Sequence, residues 1–338
     1  MKTEWKLSDS CNPMIKEIKQ IIIESRKKIA YEINETMLNA YWNIGRIIVE
    51  NEQKGNIKAE YGKQVIKELS KELKQPLGSG FSISNLFNMR KFYNLYPKFQ
   101  TVSRKLSWSH YCELTSIEDK DERNFYEKEC INSKWSVREL KRQIETSLFQ
   151  RLLLSDGVNN KEIIYKLSKQ GQILHNPKDI LKEPYVFEFL DIPEDKKILE
   201  SDLERRLIKH MENFLLELGK GFMFVGSQQR ISIANNHYYV DMVFYNKILK
   251  CYVLIDLKIG TMKPEYAGQM NMYLNYYNNE INDVHDNKSI GIILCTYKNK
   301  IAMEYALGGL SNNIFASSYT YYIPNKEQLI SEIEKVIK

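Results

Sequence analysis

A nearly uninterrupted apolar run near the carboxyl end constrains the fold of this chain most strongly. The segment SIGIILCTY, residues 289–297, contains almost no position that favours contact with water. A strand of this kind is typical of a sheet that is buried on both faces. Because each face of such a sheet needs a covering layer, the run predicts an α/β domain.

The segments around this run alternate between helical and strand-like patterns. We expect, in order, a helix at 199–219, strands within 221–234, 237–246 and 250–260, a helix at 264–281, the apolar strand, a short helix AMEYALGGL, a strand ASSYTYYI and a final helix. Asn235 and Asn236 lie between two alternating runs, a pattern that predicts a β-hairpin. The order predicts a mixed sheet flanked by helices.

The front of the chain carries a helical pattern instead. Apolar residues recur every three or four positions between Ile15 and Ile48, which predicts one face of a long helix. A second helix is expected at Tyr61–Lys74, followed by a break at Pro76 and the Gly-Ser-Gly segment. Ser82 or Ser84 then caps a third helix that stops before Pro97.

Two helices joined by a short glycine-containing turn have the shape of a helix-turn-helix. In this interpretation Asn88, Arg90 and Lys91 lie on the sides or the outer face of the third helix and contact nucleic acid. An ordinary helical hairpin without DNA contacts is the alternative. The domains expected are helical at 14–150, a connector at 151–198 and the α/β domain at 199–338.

Charge and composition limit the classes of partner that this chain is expected to bind. The 338 residues carry a net charge of +6, and the stretch Glu60–Lys105 contributes nine Lys or Arg against three Glu. A basic segment in a nearly neutral chain favours an anionic partner, although a solvated helix face would look the same. The five cysteines are scattered without zinc or disulfide spacing. No run is long and apolar enough to span a membrane, so we expect a cytoplasmic protein without a membrane partner.

Three ionisable residues concentrate in two neighbouring strands. Asp241 ends the short run YYVD, and Asp256 and Lys258 follow within VLIDLKIG. Residues two apart on a strand point to one side, so Asp256 and Lys258 share a face. Two charges in an apolar strand are costly unless they are paired or used. The alternative is that Asp241 is a turn residue and that Asp256 and Lys258 form an ordinary ion pair.

Oxygen ligands of this kind suit a hard divalent cation. The two Asp carboxylates and the carbonyl of Leu257 are candidate ligands for Mg²⁺ or Mn²⁺, with Glu204 as a further ligand or nearby acid. Lys258 is placed to orient or deprotonate a water and to steady negative charge on a phosphate. Gln269 and Tyr273 lie one turn apart on the next helix and are expected to face the same groove, where Tyr273 contacts nucleic acid. The five histidines offer no ligand spacing.

The order of these residues resembles the PD-(D/E)xK nuclease superfamily. The phrases FMFVGSQQRI, YVDMVFYN, VLIDLKIG and PEYAGQMNMYLN are similar to the YhcG-like bacterial family, and LNAYWNIGRII, GFSISNLFNMRKFY and WSVRELKRQI to the helical domain found with it. The resemblance implies a restriction-endonuclease-like mixed sheet. It implies Asp241, Asp256 and Lys258 as the catalytic trio, with Glu204 and Gln269 in support and DNA as substrate.

The chain departs from the superfamily pattern at two positions. Val240 stands where a proline usually precedes the first Asp, and Asp256 stands where relatives often have Glu. The expected activity is metal-dependent hydrolysis of DNA, in defence against foreign DNA or in recombination and repair. A non-cleaving nucleic-acid-binding or assembly protein, and a nuclease for RNA or branched DNA, stay open. So does a homo-oligomer that pairs two sites.

Overall fold

The described parts of the chain are residues 11–54, 59–156, 161–193, 198–297 and 313–337, in a computed structural model. They divide into two compact units. The first holds residues 1–123 and 135–140, and the second holds residues 124–134 and 141–338. The limits of the domains expected from the sequence stay predictions.

The first unit is helical, as the periodicity predicts. Its helices are α1 (Cys11–Lys54), α2 (Ala59–Leu77), α3 (Ile83–Leu95) and α4 (Trp108–Leu114), and α5 (Lys120–Ser133) and α6 (Val137–Glu145) belong partly to each unit. Ser82 caps α3, because its side chain accepts a hydrogen bond from the backbone N of Asn85. A single 3₁₀ turn at Ser79–Phe81 separates α2 from α3.

A close approach of α1 to α3 organises this unit. A Cβ added at Gly45 would overlap the backbone carbonyl oxygen of Met89 and press on the Cβ of Tyr93. Only a glycine lets the two helix backbones come so near. Around this contact Leu86, Met89 and Ile48 are buried. Phe92 on α3 is fully buried as well, whereas Tyr93 is half-buried.

The second unit contains the sheet. Its remaining elements are α7 (Leu148–Asp156), α8 (Lys161–Gln170), β1 (Tyr185–Val186), α9 (Glu200–Lys209), α10 (Met211–Leu218), β2 (Phe222–Ile233), β3 (Asn236–Asn246), β4 (Cys251–Thr261), α11 (Pro264–Tyr276), β5 (Ile290–Tyr297), β6 (Ile314–Thr320) and α12 (Lys326–Ile337). A π-helical turn at Tyr277–Ile281 extends α11. The stretch interpreted as a connector contributes α8 and β1.

Six described strands form one sheet in the order β1-β6-β5-β4-β3-β2. The pairs β2–β3 and β3–β4 are antiparallel, whereas β4–β5, β5–β6 and β1–β6 are parallel. The expected mixed sheet flanked by helices is confirmed. Its parallel half contains β5, the apolar run from which the fold was predicted.

Both faces of the sheet are covered, which explains the composition of β5. Ile292 and Leu294 pack on one face with Leu203, Leu207 and Phe214 of α9 and α10. On the other face, Ile293 and Cys295 pack with Met270 and Leu274 of α11. Alternating residues of β5 therefore enter two different cores, and the buried positions from Ile290 to Cys295 carry no charged or strongly polar side chain.

Two local predictions were wrong in detail. The helix expected at 199–219 is broken at His210, whose backbone leaves the helical region with φ −108° and ψ 36°, so α9 and α10 are separate. The hairpin turn lies at Ala234 and Asn235, both at positive φ, and Asn236 already pairs with Ile233. The short helix AMEYALGGL lies outside the described residues.

The α1–α3 contact yields a stability prediction. Gly45→Ala forces a methyl group against the Met89 carbonyl, so the free energy of unfolding should fall by about 1–3 kcal/mol, the usual cost of overpacking. Gly80→Ala is the matched control, because a Cβ there meets no atom within 4 Å. Urea unfolding followed by circular dichroism measures both. Equal stability of the two variants would show that the helices do not approach as described.

Candidate active site

The two aspartates face each other across β3 and β4. In this antiparallel pair Met242 lies opposite Ile255, so the next step of the same register places Asp241 opposite Asp256. The backbone N of Leu257 donates to Oδ2 of Asp241 at 2.8 Å. Asp241 lies inside β3 rather than at the end of a short run, which corrects the sequence interpretation.

Asp256 and Lys258 share a face, as the period of two predicts. Lys258 Nζ lies 2.8 Å from Asp256 Oδ2. This contact is a close ion pair, and Asp256 is one cause of the raised pKa of Lys258. Leu257 points the opposite way into the core beside α9. Asp256 itself is buried, which removes water that would otherwise solvate its charge.

Glu204 joins this pair through a residue that sequence reasoning missed. The side-chain nitrogen of Gln228 donates to Glu204 Oε2 at 2.7 Å and to Asp241 Oδ1 at 3.3 Å. Gln228 lies on β2 with φ of 47°, an unfavourable conformation for a residue other than glycine. No sequence pattern indicated this backbone conformation at Gln228. One amide therefore bridges two of the expected metal ligands.

Glu200, at the start of α9, is a second residue that was missed. Its Oε1 accepts a hydrogen bond from the backbone N of Ile259 at 3.0 Å, and its Oε2 lies 3.9 Å from Lys258 Nζ. Lys258 thus lies between two carboxylates, those of Asp256 and Glu200. Glu200 lies one turn before Glu204 on the same helix, and this spacing was the sequence signal by which it could have been found.

Burial and mutual repulsion alter the acidity of these groups. Desolvation, together with the charge and a hydrogen bond of Asp241, raises the pKa of Asp256 to about 7 despite the nearby Lys258. Desolvation and the charge of Asp241 also raise the pKa of Glu204, although Gln228 opposes the change. Burial acts to lower the pKa of Lys258, but Asp256, Asp241 and Glu200 outweigh burial and raise it. Lys258 is therefore a charged group here.

Gln269 and Tyr273 support the strands from α11. Gln269 Nε2 donates to the Tyr273 hydroxyl at 2.6 Å, and that hydroxyl donates to the backbone O of Tyr239 at 3.1 Å. The Tyr273 ring is buried, which corrects the expectation that it faces a nucleic-acid groove. The ring of Tyr266, on the same helix, lies 5.4 Å from Lys258 Nζ.

The three residues expected to contact nucleic acid from α3 differ in exposure. Lys91 is exposed, whereas Arg90 is half-buried and pairs with Glu52 at 2.8 Å. Asn88 is half-buried and hydrogen-bonds the thiol of Cys112. These three belong to the first unit, whereas the acidic cluster belongs to the second. Their role in binding nucleic acid stays a prediction.

The chemistry of the cluster fits a divalent cation. Glu204 Oε1 is buried without a hydrogen-bond partner, and Asp256 Oδ2 has only the ion pair with Lys258. Unpartnered buried carboxylate oxygens are hard donors of the kind that Mg²⁺ and Mn²⁺ prefer. No group of three His, Cys, Asp or Glu side chains in the described ranges is already arranged around one metal position. The donor atoms are thus near one another without being arranged for coordination.

The comparisons with known proteins identify the family to which the chain belongs. Residues 178–334 match the family model described as "YhcG PDDEXK nuclease domain", so the second unit contains a PDDEXK nuclease-type domain. Residues 17–151 match the "DUF1016 N-terminal domain". The chain is 36% identical over 345 residues to the Escherichia coli (strain K12) protein named "Putative nuclease YhcG", covering 93% of this chain and 91% of that protein. The chain therefore belongs to the YhcG family, and the resemblance read from the sequence is confirmed.

Two solved structures are more distant matches. A repair endonuclease from Pyrococcus abyssi has 16% identity and a TM-score of 0.26, covering 37% of this chain and 49% of that chain. A structure titled "Structure of EndoMS-dsDNA2 complex" has 13% identity and a TM-score of 0.26, covering 40% of this chain and 51% of that chain. Within the described ranges, no helix is both long and apolar enough to cross a membrane.

The raised pKa of Asp256 predicts a pH-dependent stability in the metal-free protein. Between the ordinary value of 3.8 and about 7, the folded protein holds a proton that the unfolded chain has released. The free energy of unfolding should therefore fall as the pH rises through this window. Asp256→Asn removes this titration. At pH 8 the free energy of unfolding of the variant should therefore be higher than that of the parent by roughly 2–4 kcal/mol, and the difference should disappear by about pH 4.

Urea unfolding in the presence of a chelator measures this difference at each pH. Asp202→Asn, on the half-exposed side of α9, is the control and should retain the loss of stability seen in the parent. An Asp256→Asn variant that follows the pH dependence of the parent would contradict the buried, repelled carboxyl described here.

Proposed function

We propose that this chain is a metal-dependent endonuclease that hydrolyses phosphodiester bonds of DNA. One observation carries the proposal: Asp241, Asp256 and Lys258 lie together at a buried rung of a sheet, beside an unpartnered oxygen of Glu204. Isolated buried charges destabilise a fold, so a cluster of this kind is most often retained for chemistry. Membership in a family with a PDDEXK nuclease domain supports the same reaction.

Asp241, Asp256 and Glu204 are the residues that would hold Mg²⁺ or Mn²⁺. When bound, such an ion lowers the pKa of a water and polarises a phosphate. The charge of Asp241 is one cause of the raised pKa of Asp256, and a cation held by these carboxylates would offset their repulsion. Gln228 keeps Glu204 and Asp241 close together before binding.

Lys258 has a separate role. Because neighbouring carboxylates raise its pKa, its ammonium group stays protonated and does not act as a general base in this state. It orients the attacking water and stabilises the negative charge that develops on the phosphate. Glu200 provides a second acidic contact to Lys258, at 3.9 Å, beside that of Asp256. Tyr266 and the bonded pair Gln269–Tyr273 limit the movement of Lys258 and the strands.

Cleavage of covalently closed circular DNA tests the proposal, because only an endonuclease can open a circle. The parent should nick the circle with Mg²⁺ or Mn²⁺ and not with a chelator. Asp256→Ala and Lys258→Ala should each lower the rate at least about a hundredfold, the typical cost of losing one group that stabilises charge in the transition state. Lys247→Ala, an exposed lysine at the far end of β3, should cleave as the parent does.

Two outcomes would contradict the proposal in different ways. Salt-sensitive DNA binding without cleavage under either metal would indicate a non-cleaving binding protein. Cleavage of a single-stranded RNA more than about tenfold faster than circular DNA, at equal salt, would contradict the DNA assignment while preserving the metal chemistry. An equally large preference for a four-way junction would contradict action on unbranched duplex DNA.

A further inference from the structure

The hairpin of β2 and β3 extends past the end of its pairing with β4. The pairing of β3 with β4 ends at Met242, whereas the pairing of β3 with β2 continues to Asn236. We call the part beyond Met242, residues 228–241, the hairpin arm. Because β2 is the last strand of the described sheet, the arm lies at its edge. Asp241 is the first residue of β3 in the arm next to β4, so the arm begins at the candidate active site.

The arm has one covered face and one open face. Its covered face packs into the core beside α11 and consists of Ile231, Ile233, Tyr238 and Val240. Side chains alternate along a strand, so the intervening residues point the opposite way. They are Arg230, Ser232, His237 and Tyr239, all of them exposed, and we call them the open face. Asp241 follows two residues after Tyr239 on β3, so the open face continues to the carboxylate cluster.

The open face offers a positive charge and hydrogen-bond donors without a carboxylate. The chain contains no Asp or Glu between Glu217 and Asp241. Arg230 Nε donates to the hydroxyl of Ser232 at 3.3 Å, and that hydroxyl lies 3.1 Å from Nδ1 of His237. Among the described residues Arg230 therefore contacts a hydroxyl and no carboxylate, and its charge is not neutralised. Phosphate oxygens are the partners that an arginine of this kind prefers.

A hydrogen bond from α11 fixes the open face relative to the active site. The Tyr273 hydroxyl donates to the backbone O of Tyr239 at 3.1 Å, and Tyr239 is paired with Arg230 across the two strands. At about 3.4 Å per residue, Tyr239 lies about 7 Å and His237 about 14 Å along β3 from Asp241. Phosphates of one DNA strand follow each other about every 3.4 Å along the duplex axis. The open face therefore spans about four nucleotides.

We propose that the open face binds the sugar–phosphate backbone of the strand that is cut, beside the scissile phosphate. Arg230 neutralises one phosphate, and the Tyr239 hydroxyl donates a hydrogen bond to a neighbouring backbone oxygen. Contacts of this kind hold a strand in position without reading its sequence. The proposal rests on the proposed function for its substrate, because its ligand is the strand that lies at Asp241 and Asp256.

The salt dependence of DNA binding by the full chain tests the role of Arg230. Fluorescence anisotropy of a labelled duplex is measured in a chelator at several salt concentrations. Each phosphate neutralised by a cationic side chain contributes about 0.9 to the slope of log affinity against log salt. Arg230→Gln should therefore reduce the slope by about 0.9, whereas Arg230→Lys, which keeps the charge, should retain it. Lys247→Gln, at an exposed position just past the other end of β3, is the control and should also retain the slope.

Tyr239 should respond differently, because a neutral hydrogen bond releases no counterion. Tyr239→Phe should weaken binding about fivefold, near the usual net value of one hydrogen bond, and leave the salt slope unchanged. Tyr165→Phe, at an exposed position on α8, is the matched control and should bind as the parent does. Equal affinities of Tyr239→Phe and the parent would overturn the role of the hydroxyl.

The outcomes distinguish this proposal from the nuclease activity. A parent that binds DNA, with the expected change of slope in Arg230→Gln, but cuts circular DNA under neither metal would contradict the proposed function and support the open face as a binding site. A parent that cuts circular DNA, with Arg230→Gln retaining the salt slope, would overturn the open face and support the nuclease assignment. A parent that does not bind the duplex at any salt concentration would overturn the open face as well.

Discussion

Two carboxyl groups lie opposite each other on the paired strands β3 and β4, and the electrostatics of the candidate site depend on them. Asp241 and Asp256 approach each other because the antiparallel register fixes their positions, not because they attract. Their repulsion, in a place from which water is excluded, raises the pKa of Asp256 and keeps Lys258 charged beside it. The fold tolerates this arrangement because Leu257 N, Gln228 and Lys258 each stabilise one of the carboxylates.

The sheet and its flanking helices hold Asp241 and Asp256 in place. The sheet is buried on both faces, so β4 has little freedom to shift its register without moving a whole row of side chains into the wrong core. On one side α9 carries Glu200 and Glu204, and on the other α11 carries Gln269 and Tyr273. With Gln228 of β2, residues from five separate elements therefore meet at this site.

Periodic patterns predicted the parts of this site that depend on a single strand or helix. The two-residue spacing placed Asp256 and Lys258 on one face, and the apolar run of β5 predicted the doubly covered sheet. Gln228 and Glu200 were missed because their roles depend on contacts between β2, α9 and β4, which no local pattern encodes. The buried position of Tyr273 was missed for the same reason, since its partner is a backbone atom of β3.

We propose that the carboxylates of Asp241 and Asp256, which repel each other, form a cation site. Anomalous diffraction from crystals of the protein soaked in Mn²⁺ tests it most directly. The account predicts one strong peak between the carboxylates of Asp241 and Asp256, with Lys258 moved away from Asp256. Clear density for the Asp256–Lys258 ion pair, with no peak at that position under saturating Mn²⁺, would contradict it.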